Sequence, residues 1–187
     1  MSAALALKPK LNVEDYLLGE RLSPVRHEYV AGEVYAMAGA SEEHNIISGN
    51  IFAALHAHLR GKKCRAFMND MKVKIWINHD LFYYPDVMVV CDPEDTDRYF
   101  KHRPSVLIEV LSNETRRVDE QEKLLSYLRL ESLQEYVLVE QATMQVTLFR
   151  RANEWQREMI SGADAVLHPQ SLGFSLPLTQ VYEGVLP

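Results

Sequence analysis

Between Phe82 and Ser112 the chain reads FYYPDVMVVCDPEDTDRYFKHRPSVLIEVLS, and this stretch limits the possible folds more than any other. It holds two dense apolar runs, residues 87–91 and 106–111, each short, rich in β-branched residues and bounded by Pro85, Pro93 and Pro104. Runs of this kind are central strands buried on both faces. Each is associated with one acid, Asp86 at the start of the first and Glu109 within the second. A lone buried carboxylate costs several kcal/mol even after relaxation, so it must be paired, protonated or bound to a cation. Two of them on adjoining strands would repel, and a divalent ion between them resolves both problems.

The rest of the composition narrows the class. A length of 187 residues with 47% hydrophobic content suffices for one well-buried core, so a single domain over residues 1–187 is expected. No apolar run approaches the roughly 20 residues of a membrane helix. The opening MSAALALKPKL is interrupted by Pro9 too early for a secretory signal, and the expected location is cytoplasmic, with no membrane partner. Cys64 and Cys91 lack CxxC or histidine spacing and read as small buried hydrophobes, with no disulfide framework expected. A net charge of -6 argues against coating nucleic acid by charge alone, so any DNA contact must be local.

Taken in order, the chain opens with a short helix near Asn12 that sets Val13, Tyr16 and Leu17 on one face and should stop at Gly19. Residues 27–30 and 33–37, joined by Ala31-Gly32, form a predicted β-hairpin in which Glu33 is exposed. Ser41 caps a helix running to Arg60, with Glu42 and Glu43 at its positive end and His44, Ile47, Ile51, Leu55 and Leu59 as its inward stripe. His44 therefore points toward whatever this helix packs on; on spacing alone a structural histidine is the default. Gly49 within the helix predicts close packing there. Residues 64–68 and 71–77 read as strands, the second turning Lys72 and Lys74 outward and Val73, Ile75 and Ile77 inward. After the central strands, ETRRVDEQEKLLSYLRLESL is a charged amphipathic helix with Leu124, Leu125 and Leu128 on its buried side and Asp119, Lys123 and Tyr127 in a row along its flank. Residues 135–139, 144–150 and 155–160 form an antiparallel meander, and residues 176–185 a strand end and closing helix.

At Tyr84-Pro85-Asp86 and at Ile108-Glu109-Val110-Leu111-Ser112 the sequence resembles the PD-(D/E)XK nuclease superfamily, and more closely the bacterial Uma-two family of restriction endonucleases. The resemblance spans nearly the whole chain, from the opening helix and the hairpin HEYVAGEVYAM through the His44 helix to the strand EYVLVE. It implies an α/β (α+β) restriction-endonuclease-like fold, a mixed β-sheet core flanked by helices. It also implies a DNA endonuclease whose Asp86 and Glu109, with the main-chain carbonyl of Val110, bind Mg²⁺ or Mn²⁺. The superfamily's lysine two residues after Glu109 is here Leu111, and in the resembling family its work falls to a lysine on the following helix, which is Lys123. Where the superfamily often has a glutamate on its first core helix, His44 holds the inward position. A homodimer would ease DNA binding by so acidic a chain.

Two other readings stay open. A displaced lysine also suits a decayed nuclease fold that binds nucleic acid or a partner. The blandest alternative is structural, with Asp86 capping a turn and Glu109 bridged to Lys123. Nucleophilic catalysis has little support, because Ser112 lacks a GxSxG elbow and neither cysteine neighbours a histidine.

Overall fold

A computed structural model describes residues 10–112 and 116–186. Asn12 caps α1 (Val13–Leu22) by accepting from the Asp15 amide, but the helix continues through Gly19 to Leu22. The extra turn carries Glu20, buried and hydrogen-bonded to the His27 amide and the Tyr84 hydroxyl, so a tertiary anchor overrides the local stop. The predicted hairpin is present as β1 (His27–Val30) and β2 (Glu33–Ala36), with Ala31 and Gly32 at positive φ and Glu33 exposed. Ser41 caps α2 (Glu42–Leu59) through the His44 amide. Gly49 does not mark close packing: a Cβ there would meet nothing within 4 Å.

Most of the remaining elements are strands: β3 (Arg65–Met68), β4 (Lys72–Trp76), β5 (Asp80–Tyr83), β6 (Val87–Val90), β7 (Phe100–Lys101) and β8 (Pro104–Val110). A π-helical segment (Val118–Lys123) and α3 (Leu124–Tyr127) lead to β9 (Glu135–Val139), β10 (Gln145–Arg150) and β11 (Arg157–Ser161). The short strands β12 (Val166–Leu167) and β13 (Leu176–Pro177) and helix α4 (Leu178–Val181) close the fold. Two mixed sheets result, ordered β2-β1-β5-β4-β7 and β11-β10-β9-β8-β6-β3, with β8 and β9 parallel and the meander β9-β10-β11 antiparallel. The expected α/β architecture is met, although the core is two stacked sheets rather than one.

Side-chain alternation explains the stacking. On β6 and β8, Val87, Val89, Val106, Ile108 and Val110 pack with Ile47, Ile51 and Leu55 of α2, while Met88, Val90, Leu107 and Leu111 pack with Val73, Ile75 and Tyr83 of the smaller sheet. Tyr16 of α1 covers that sheet's other face against Tyr29 and Phe82. This cover corrects the expectation of an outward Lys72: it is buried and donates to the Tyr84 hydroxyl at 3.2 Å.

Two further expectations fail. Cys64 and Cys91 form a disulfide. They sit one register step beyond the antiparallel pair Arg65↔Val90, so strand pairing joins cysteines that lie 27 residues apart in sequence. Within the helix after the central strands Asp119, Lys123, Ser126 and Tyr127 are buried, while of the expected leucine stripe Leu124 is partly buried on the core and Leu125 is exposed. A π segment takes more residues per turn than an α-helix, which shifts the buried face and turns Leu125 outward. The first residues expected in that helix, Glu114 and Thr115, lie outside the described residues.

Candidate active site

Glu109 shares its side of β8 with Leu107 and Leu111, so strand alternation aims it into the space between the two sheets. Its side chain is 3% exposed. Oε1 accepts from the Tyr127 hydroxyl at 2.9 Å and from Lys123 Nζ at 3.3 Å, and Oε2 accepts from the Asp86 amide at 3.3 Å. Asp86 lies at the neighbouring strand start, where its Oδ2 accepts from the Val110 amide at 2.7 Å. The two acids are thus cross-linked through each other's backbone at one end of the β6–β8 pair. His44, from the first turn of α2, brings Nε2 to 3.1 Å from Asp86 Oδ2. The expected residues Asp86, Glu109, Val110, His44 and Lys123 therefore meet at the floor of one cleft.

Lys123 is enclosed. Its Nζ lies 3.1 Å from Glu28 Oε1, 3.3 Å from Glu109 Oε1 and 3.1 Å from Asp119 Oδ1. The last approach lacks hydrogen-bond geometry, so Asp119 Oδ1 is a buried carboxylate oxygen that receives no hydrogen bond. The buried Glu109–Lys123 bridge of the bland alternative is present in this arrangement.

The electrostatics follow from three carboxylates sharing one ammonium. Burial pushes the Glu109 carboxyl well above the ordinary range; Lys123 opposes the rise, and Asp119, Asp86 and Glu28 add to it. Burial works against the Lys123 charge, but Glu109, Glu28 and Asp119 together hold the ammonium well above its usual value. His44 is raised although burial opposes it, because the Asp86 hydrogen bond, the fields of Asp86 and Asp119 and a hydrogen bond to the Val110 main chain outweigh the burial.

Among the described residues no group of three or more histidine, cysteine, aspartate or glutamate side chains forms a ready-made metal cage. The donors still fit a hard cation that keeps several waters and takes one or two carboxylates, as Mg²⁺ does. The buried surplus of negative charge around Lys123 is what such an ion would relieve.

Sequence reasoning missed Glu28. It lies on β1 opposite in parity to Tyr29, which packs under α1, so alternation alone turns Glu28 toward the larger sheet. An acid beside an aromatic in a hairpin strand was the available signal. Arg116 was also missed; its guanidinium forks onto Glu140 at 2.8 and 2.6 Å on the cleft wall.

A sequence model of the Uma2 family, described as "Putative restriction endonuclease", matches residues 13–179. The chain belongs to this family. Its sequence relatives include the uncharacterized protein slr1290 of Synechocystis sp., 33% identical over 180 residues that cover 95% of this chain and 94% of that one. A second, sll1609 of the same organism, is 31% identical over 150 residues, 78% of this chain and 84% of the other. The fold is similar to the crystal structure of a "putative nuclease belonging to DUF820" from Anabaena variabilis, with a TM-score of 0.72 at 17% identity, covering 88% of this chain and 93% of that one. No helix among the described residues is long and apolar enough to cross a membrane.

Proposed function

We propose that this Uma2 protein is a Mg²⁺- or Mn²⁺-dependent endonuclease that hydrolyses phosphodiester bonds of DNA. The observation that carries this reading is the convergence of Asp86 and Glu109 at adjoining strand ends with a lysine ammonium 3.3 Å from Glu109. Asp86, Glu109 and the Val110 carbonyl would hold the ion. A divalent ion there supplies charge neutralisation on the phosphate and a more acidic water.

The chain's own residues do the rest. Glu109 and Asp86 fix one another through the Asp86 and Val110 amides, so neither needs to reorganise when substrate arrives. Lys123, held beside Glu109, Glu28 and Asp119, would be the residue to orient the water or to donate to the negative charge growing on the phosphate. Hydrolysis adds the water oxygen to phosphorus and breaks the bond to the leaving oxygen, which takes a proton. His44 holds Asp86 Oδ2 in place and carries a proton on its ring within reach of the site. Two copies would present two such sites to the two strands of a duplex.

The caged Lys123 favours a second reading, a fold that binds nucleic acid without cleaving it. Calorimetric titration of Mn²⁺ with supercoiled-plasmid turnover separates the readings. Wild type should bind the ion and Asp86→Ala should not. Lys123→Ala should keep binding yet cleave roughly 10²–10³-fold more slowly, as after loss of an oxyanion donor. Equal Mn²⁺ binding by wild type and Asp86→Ala would place the ion elsewhere and sink the assignment.

A further inference from the structure

The cleft is acidic, and its central lysine is closed off by three carboxylates, so something else must receive a polyanion. Sheet topology supplies candidates. Along one end of the larger sheet, in the spatial order β9-β8-β6-β3, lie Glu140 just past β9, Glu109 and Val110 at the end of β8, Asp86 at the start of β6 and Asp70 just past β3. Two main-chain bonds hold this line together, from the Leu111 amide to the Val139 carbonyl at 2.8 Å and from the Asn69 amide to the Asp86 carbonyl at 3.1 Å. At its two extremes stand two arginine–carboxylate pairs, Arg116 on Glu140 and Arg26 on Asp70, the second at 3.0 Å. All four residues line the cleft.

Burial separates these arginines from Lys123. The side chains of Arg26 and Arg116 are 41% and 38% exposed, against 7% for Lys123, so the arginines are open to an incoming ligand. Guanidinium groups donate to phosphate in the same forked geometry as to carboxylate. Three interstrand steps of roughly 4.8 Å separate the two pairs, about 14 Å, a span of a few phosphates along one strand.

We infer that Arg26 and Arg116 form a phosphate track: one strand of nucleic acid lies across the sheet end, its scissile phosphate at Asp86 and Glu109 and its flanking phosphates on the two arginines, displacing Asp70 and Glu140. The inference rests on the nuclease reading for the position of the scissile phosphate. The contacts are to the backbone and carry no base preference.

Fluorescence anisotropy tests it, with a fluorescein-labelled single-stranded oligodeoxynucleotide of about 12 nucleotides recovered intact from Ca²⁺ buffer, over a salt series. Arg26→Gln and Arg116→Gln should each weaken binding roughly 10-fold. Each should also lower the slope of log affinity against log salt by about 0.7. Arg26→Lys and Arg116→Lys should keep the slope, because the charge remains. Asp70→Asn and Glu140→Gln should bind more tightly than wild type, a direction that a purely structural pair does not give. The track is overturned if the glutamine variants, melting as wild type does, bind with wild-type affinity and slope, or if wild type does not bind. Arginine-dependent binding without metal-dependent cleavage would sink the nuclease reading and leave the track standing. Cleavage by a protein whose arginine variants bind normally would do the reverse.

Discussion

Glu140 and Glu109 are both paired with a cation, yet their carboxyls shift in opposite directions. Glu140 is held below its ordinary value chiefly by the hydrogen bond from Arg116, with burial opposing, whereas Glu109 is raised chiefly by burial. A depressed folded pKa means that the contribution of Glu140 is present above the unfolded value of 4.5 and is lost as pH falls through the folded value. Glu140→Gln should therefore cost roughly 1 kcal/mol near neutral pH, a surface-scale figure because Arg116 is partly exposed. Urea midpoints of the two proteins should converge as pH falls below that value, and a gap that persists in acid would show that ionic pairing is not its cause. At this scale, Asp86, Glu109 and His44 were legible as candidates because an acid in an apolar run, or a polar side chain at an inward helical position, stands out against its period, whereas Lys123, on the flank of a charged helix, was picked out only by the family resemblance. Glu28 and Arg116 were not, since their roles depend on which sheet or strand end faces them, and the local pattern is silent about that.

Among the elements, caps and turns followed local chemistry, and departures came where tertiary contacts intervened. Asn12 and Ser41 cap their helices, and Ala31-Gly32 turns the hairpin. Gly19 failed as a stop because Glu20 is anchored beyond it, and Lys72 turned inward because α1 covers a sheet face that a lone strand would expose. The π segment has no simple sequence mark, yet it places Asp119 and Lys123 under Glu109 and leaves Leu125 outside. The Cys64–Cys91 bond follows from pairing of β3 with β6, a non-local fact. Gly49 gives a clean test at this scale. With open space where its Cβ would lie in α2, Gly49→Ala should raise stability by about 0.5–1 kcal/mol, read as a higher denaturant midpoint at unchanged slope. A loss of stability would mean that something packs closely on that face after all.

For the whole molecule, two sheets stacked between α1 and α2 leave the strand ends of the larger sheet open, and the acids gather there. The family and the α/β class were legible from the order of motifs along the chain. The second sheet layer was not, because short alternating strands do not say whether they extend one sheet or start another. With a net charge of -6, the proposed approach of DNA would depend on local cations, which the proposed reading assigns to the two arginines and a divalent ion at this edge. Metal-dependent hydrolysis at that edge is measured most directly by nicking of supercoiled plasmid, comparing wild type with Asp86→Asn of equal thermal stability, each with Mg²⁺, with Mn²⁺ and with EDTA. Wild type should nick with either ion and not in EDTA, and Asp86→Asn should not nick under any condition. Undiminished nicking by Asp86→Asn, or wild-type nicking that persists in EDTA, would contradict a metal site built on Asp86 and Glu109.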